Sequence, residues 1–279
     1  MGRTLLYTPV IGSTQTMLTG NLVFTRALRP EMGVVCVAGQ QTQGRGRHDN
    51  AWLSPKGCMM FSCPLALRPR SHLLAHLSLL QHIVALSVVT AIRTAPGYEE
   101  LPVCIKWPND IYYQNRVKLG GVLVSVFSAS DPTSPTTAVI GCGVNVSNKY
   151  PTMSVNDCIQ LHNNTTHSSS STSSSSRGGG IILPPFTVEA LLALSLNRLE
   201  RYLSLYEHSG MSAIETDYYH YWLHKDAVVQ LGSHANEEVT VRGIDQFGYL
   251  RVVTQTGEEL NLRPDGNSFD IMNNLIVMK

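Results

Sequence analysis

Between residues 103 and 146 three apolar stretches follow one another, Val103–Lys106, Lys118–Phe127 and Thr137–Val146, with turn residues rather than helical pattern between them. Such a succession fits an antiparallel sheet better than strict β–α–β alternation. Apolar runs at 3–11, 33–39 and 58–67 add strands to it. Helical spacing lies outside these runs. Ser13-Thr14 can cap a helix that ends near Arg29-Pro30, and residues 71–95 repeat apolar positions at helical period until Pro96-Gly97 stops them. The period returns at 187–208, with Gly210 as its stop, and again at 211–222. The pattern predicts an α+β fold, a mainly antiparallel sheet with helices on one face.

After about residue 225 the texture changes. Val228–Leu231, Val239–Val241, Tyr249–Val253 and Glu259–Leu262 are short strands separated by Gly232, Gly248 and Gly257. They predict a small appended β-barrel, so that residues 1–224 form the main domain and 225–279 the second. The aromatic cluster Tyr218, Tyr219, Tyr221 and Trp222 is expected at the seam between them. Residues 163–180 run through Asn163-Asn164-Thr165-Thr166 into a serine tract and three glycines. Nothing there can bury apolar area against the entropy of ordering it, and a disordered insertion is predicted.

Composition narrows the function classes. The 21 basic and 20 acidic side chains nearly cancel, so binding to nucleic acid by bulk charge is disfavoured. Six scattered cysteines, none in a CxxC pair, read as buried thiols in a reducing compartment. The N-terminal residues have no signal-peptide core, and the apolar run Ile83–Ile92 is too short to cross a bilayer. A cytoplasmic protein without membrane or DNA partners is expected.

Four segments carry chemistry. Gln41-Thr42-Gln43-Gly44-Arg45-Gly46-Arg47 follows a strand, and its glycines can turn successive N–H groups inward while its arginines offer forks for phosphate or carboxylate. Lys106-Trp107-Pro108-Asn109-Asp110 holds a cation at the end of an apolar strand. Lys118-Leu119-Gly120-Gly121 places paired glycines inside a strand, where something approaches the backbone closely. Gly141-Cys142-Gly143-Val144-Asn145-Val146 lines another strand with small residues. His72 and His76 have metal-ligand spacing but no third ligand, Cys142 has no visible base, and no metal site is predicted.

In this order the segments resemble the biotin protein ligases. Ser13-Thr14-Gln15, Trp52-Leu53-Ser54-Pro55 and the tail Pro264-Asp265-Gly266-Asn267-Ser268-Phe269-Asp270 extend the resemblance over nearly the whole chain. It implies a class II synthetase-like catalytic domain with a small SH3-like barrel. It also implies an ATP-dependent reaction in which biotin becomes biotinyl-5′-AMP and passes to a lysine of a carrier domain, in carboxylases such as acetyl-CoA carboxylase. By that resemblance Ser13, Thr14, Gln15, Gln41, Gly120 and Gly121 would hold biotin. Arg45, Gly46, Arg47 and Lys106 would hold its carboxylate and the α-phosphate, with Arg45, Arg47 and Lys106 catalytic. Trp52, Asn109, Lys118 and Asn145 would meet ATP, with Mg2+ completing charge neutralisation. A lipoate–protein ligase, a DNA-binding repressor and a non-catalytic phosphate- or RNA-binding module remain alternatives. The last leaves Lys106–Asp110 without a purpose.

Overall fold

The chain is described here from a computed structural model, which covers all residues except 29–31, 48–49, 129–134, 171–181, 233–236, 265–266, 271–274 and 279. Its first sheet has seven strands: β1 (Thr4–Thr8), β2 (Val34–Ala38), β3 (Cys58–Leu67), β4 (Val103–Lys106), β5 (Asp110–Tyr113), β6 (Val117–Phe127) and β7 (Thr136–Asn145). They lie in the order β1-β2-β3-β7-β6-β5-β4. All pairs are antiparallel except β1 with β2. The longest ladder joins β3 to β7, from Cys58 opposite Asn145 to Leu67 opposite Thr136.

Helix α4 (Leu79–Arg93) is buried at nearly every position because it lies between the sheet and helix α6 (Val188–Ser209). A helix covered on two sides needs no polar stripe. Its Leu80, Ile83 and Leu86 have no exposed surface, and each such side chain contributes roughly 1.5–3 kcal/mol by leaving water. These large helices share one face, as expected. The short helix α1 (Thr14–Thr19) packs on the other, with Leu18 against Val34, Cys36 and Val139.

Several elements differ in detail from the sequence pattern. The helix expected to end near Arg29 is two: after α1, Gly20 closes the turn and Asn21 caps α2 (Leu22–Ala27) by accepting from Phe24 N–H. The helix expected over 71–95 breaks after α3 (His72–Ala75), where His76 leaves helical geometry and packs between Tyr206 and Phe247. The sequence pattern reads β5 as turn, because four residues after Pro108-Asn109 carry too little periodicity. Helix α5 (Val155–Ser170) corrects the insertion's start: residues 163–170 are helical, and Asn163 exchanges hydrogen bonds of 2.9 Å with Leu183 N–H and carbonyl. The remainder of the insertion, 171–180, lies outside the described residues.

A 3-10 turn at Met211–Ala213 and helix α7 (Glu215–His220) lead to the second sheet. It contains β8 (Val228–Leu231), β9 (Glu237–Ile244), β10 (Leu250–Thr254), β11 (Glu259–Leu262), β12 (Asn267–Asp270) and β13 (Leu275–Met278), in the order β11-β10-β9-β8-β13-β12. The two sheets meet through the expected aromatic cluster. Tyr218 is fully buried and shares a 2.8 Å hydrogen bond with His82 Nδ1, while Tyr219 hydroxyl accepts from Ile244 N–H at 3.0 Å. Gly248, at φ +77, fits its turn against the His82 ring, where a Cβ would come within 2.8 Å of Nε2. Among the described residues no helix is long and apolar enough to cross a membrane.

Candidate functional site

Side chains on β7 alternate between the two faces of the sheet. Cys142 and Val144 belong to the core beneath α4, whereas Gly141 and Gly143 leave the opposite face bare. On β6, Gly121 stands across from Gly143 and Leu123 across from Gly141. The glycines floor a cavity of about 210 Å³, walled by α1, the 41–52 loop and the β4–β5 hairpin. Residues two apart on a strand are separated by roughly 7 Å, so the floor has two rows.

The row at Gly141 carries neutral polar groups. The Gln15 carboxamide crosses Gly141, where a Cβ would come within 2.4 Å of Oε1. Gln15 Nε2 donates to Ser125 hydroxyl and Val139 carbonyl, both at 3.1 Å, and Oε1 accepts from Ser62 hydroxyl at 3.1 Å. Ser62 is 2.9 Å from Thr14 hydroxyl. Thr14 N–H donates to Gln41 Oε1 at 2.7 Å, and Gln41 Nε2 donates to Ser54 at 3.0 Å. Ser13 begins α1, its hydroxyl accepting from Thr16 N–H at 3.3 Å. Each amide is fixed from both ends, so the row offers preset donors and acceptors.

The row at Gly143 is charged. Trp52 covers Gly143, and its buried indole N–H has no hydrogen-bond partner among the described residues. Lys118 pairs with Asp110 at 2.7 Å and lies 5.9 Å from the Trp52 ring centroid. Lys106 closes β4 in the cavity wall, 9% exposed, its ammonium 5.2 Å from the Tyr112 ring centroid. Arg47 donates to Asn109 Oδ1 at 3.1 Å and to Pro264 carbonyl at 2.8 Å, which ties the loop to the β4–β5 hairpin and to the second sheet's side. The loop itself is ordered by Gly46 N–H to Asn50 carbonyl (2.7 Å) and Trp52 N–H to Gly44 carbonyl (2.9 Å). Among the described residues, the lining sets Arg45, Arg47, Lys106 and Lys118 against one carboxylate, Asp110.

The cavity brings together Ser13, Thr14, Gln15, Gln41, Arg45, Gly46, Arg47, Trp52, Lys106, Asn109, Lys118 and Gly121. Two expected members stand elsewhere. Gly120 faces the core, where a Cβ would strike Gly143 carbonyl at 2.6 Å and Val144; its smallness serves packing. Asn145 is buried at the end of β7, donating to Thr152 hydroxyl (3.0 Å) and accepting from Asn148 (3.0 Å) and the Cys58 thiol (3.3 Å). Its amide holds the 145–152 loop. His48 and Asp49 lie outside the described residues.

Sequence reasoning missed Ser62 and Pro264 as members of the lining. A lone serine in an apolar strand was the only signal for Ser62. Burial pushes the Cys142 thiol up to about 12, which suits a packing residue rather than a nucleophile. Among the described residues no group of three or more His, Cys, Asp or Glu could hold a metal ion.

Residues 7–145 match the family described as biotin/lipoate A/B protein ligase, and residues 229–272 match the biotin protein ligase C terminal domain. The human biotin–protein ligase is 35% identical over all 279 residues, although the chain spans only 36% of that protein. Biotin–protein ligase 2 of Arabidopsis thaliana is 30% identical, again over the whole chain, which covers 78% of it. Among solved structures, the Aquifex aeolicus biotin protein ligase in complex with biotin and ATP superposes with a TM-score of 0.64. At 23% identity it covers 93% of this chain and 95% of its own, and so shares the fold.

Proposed function

Because the chain belongs to the biotin protein ligase family, we propose that it activates biotin with ATP as biotinyl-5′-AMP and transfers it to a lysine of a carrier domain. One observation supports this most: a single cavity pairs a neutral row of amides and hydroxyls with a row of four cations. Biotin has the matching polarity, a neutral ureido ring at one end and a carboxylate at the other. In this proposal Thr14, Gln15 and Gln41 hold the ureido group, with Ser13 beside them. The valeryl chain runs over Gly141 and Gly121. Arg45, Arg47 and Lys106 offset the repulsion between carboxylate and triphosphate and stabilise the charge that develops at the α-phosphate. Trp52 and Lys118 border the nucleotide.

A divalent ion would suit the triphosphate; among the described residues the lining offers one carboxylate, Asp110, which pairs with Lys118. Any Mg2+ would neutralise the triphosphate alongside Arg45, Arg47 and Lys106. The neutral row favours the ureido ring over lipoate, whose dithiolane makes no comparable hydrogen bonds. We take residues 1–224 as the catalytic unit and 225–279 as a second unit docked on it. The acceptors are carrier domains of carboxylases such as acetyl-CoA carboxylase, and the setting is the cytoplasm.

Purified chain with labelled ATP and biotin should release pyrophosphate, and label should reach a lysine of an added carrier domain. Pyrophosphate release driven by lipoate but not by biotin would overturn the assignment.

A further inference from the structure

Segment Tyr221–Leu223 runs beside β4 and pairs with it. Ile105 N–H donates to Tyr221 carbonyl at 2.8 Å, and Leu223 N–H donates to Ile105 carbonyl at 2.9 Å. The next rung would take Trp107 N–H to Leu223 carbonyl. The imidazole of His224 takes it instead: Trp107 N–H donates to His224 Nε2 at 3.0 Å. Both residues are buried, Trp107 with no exposed surface and His224 at 2%. Trp107 is held at its other end as well, its indole N–H donating to Gly248 carbonyl at 3.0 Å. Lys106 immediately precedes this anchored amide, and Asn109 follows two residues later.

We propose that His224 is a positioning residue for the adenylation step, acting by fixing the Trp107 amide so that the β4–β5 turn aims Lys106 and Asn109 into the cavity. The ring nitrogen must be an acceptor there, which requires the proton on Nδ1 and a neutral ring. The surroundings keep it neutral. Burial and the nearby Lys106 ammonium lower its pKa to about 3. His224 lies outside the matched spans 7–145 and 229–272. It reaches no substrate; its effect passes through the backbone. The inference rests on the proposed reaction, but its structural half can be tested without that reaction.

Two variants of the full chain separate an acceptor from mere bulk. In His224→Gln the carboxamide can bring an acceptor to the place of Nε2. In His224→Asn it falls short. His224→Gln should keep kcat/KM for biotin-dependent pyrophosphate release within about threefold of the parent. His224→Asn should lose roughly 10–100-fold, mainly in kcat, because small misplacement of reacting groups is costly. Hydrogen exchange of the Trp107 amide, measured without substrates, should be slow in the parent and in His224→Gln and fast in His224→Asn. Equal activity in the two variants, or equal protection of Trp107, would overturn the proposal. A parent chain that makes no adenylate while Trp107 exchange follows the expected order would instead overturn the reaction.

Discussion

Replacing Gly143 by alanine puts the two-row cavity to a quantitative test. A Cβ at this position would lie 2.6 Å from Trp52 Nε1 and 3.1–3.2 Å from two ring carbons. Carbon–carbon contacts settle near 3.5–4.0 Å, so the indole must retreat by roughly 1 Å. Gly143 cannot yield, since it is paired to Met60 on one side and Gly121 on the other. Overpacking of this kind costs about 1–3 kcal/mol. The half-buried Trp52 can relax toward solvent, which points to the lower end. In a domain of this size that lowers Tm by about 2–4 °C. Activity should suffer more, because displacement by about 1 Å of a wall that positions a reactant can cost up to 100-fold. The loss should appear in KM for ATP and in kcat, with KM for biotin nearly unchanged, since the Gln15–Ser62 row is untouched. Of the three tryptophans, Trp107 and Trp222 are buried and Trp52 is the one that lies against Gly143, so a change in intrinsic fluorescence would report chiefly Trp52. Gly121→Ala is the control: its nearest neighbour is 3.2 Å away on the Asp110 side chain, and a smaller effect is expected. Unchanged fluorescence together with an unchanged KM for ATP would refute the placement of Trp52 over the reacting end.

Lys106→Ala should slow adenylate formation by roughly 10²–10³-fold, the usual loss of one transition-state donor, measured by pyrophosphate release. Arg47→Gly frees Asn109 and the 264 carbonyl from the loop; adenylate should still form but escape, so blotting for biotin on added albumin should show label. Stability should depend on His82 and His224, both fully buried with pKa values lowered to about 3 from 6.5. Depressed values favour the neutral folded form, so their contribution is complete above about pH 6.5 and is lost as pH falls toward 3. Each loses about 1.4 kcal/mol per pH unit in that window, and an equal urea midpoint at pH 7.5 and 5.5 would contradict it. Deleting residues 171–180 should leave Tm and turnover nearly unchanged, whereas extending the deletion back to Asn163 should lower Tm by removing its bonds to Leu183.

The cavity was more legible in the sequence than the frame that supports it. Lys106, Arg45, Arg47 and Gln41 were legible because their segments, taken in order, resemble the biotin protein ligases; a strand-end cation on its own usually points into water. Gly120 and Gly121 looked equivalent, since a sequence does not say which of two adjacent strand residues faces the site; the register with β7 decides it. Asn145 stands outside the described cavity lining for a related reason. A carboxamide next to small residues suits a ligand, but only the fold shows it bonded to Thr152, Asn148 and the Cys58 thiol. Helix α5 hid because its polar serine end outweighs Val155, Cys158 and Ile159. His224 carried no local signal at all, since its partner amide is 117 residues away.

Such long reaches also set a clock. Arg47 meets the carbonyl of Pro264, 217 residues later, and Trp107 meets Gly248, 141 residues later. A ribosome adding about 5–20 residues per second needs roughly 10–40 s to travel from Arg47 to Pro264. Even once β7 is complete, the loop, the β4–β5 turn and the glycine floor lack these contacts until Gly248 and Pro264 have been added. A nascent chain can therefore fold its first sheet before the enclosure is latched, and an acyl-adenylate made at that stage by the proposed reaction would be as unguarded as in Arg47→Gly.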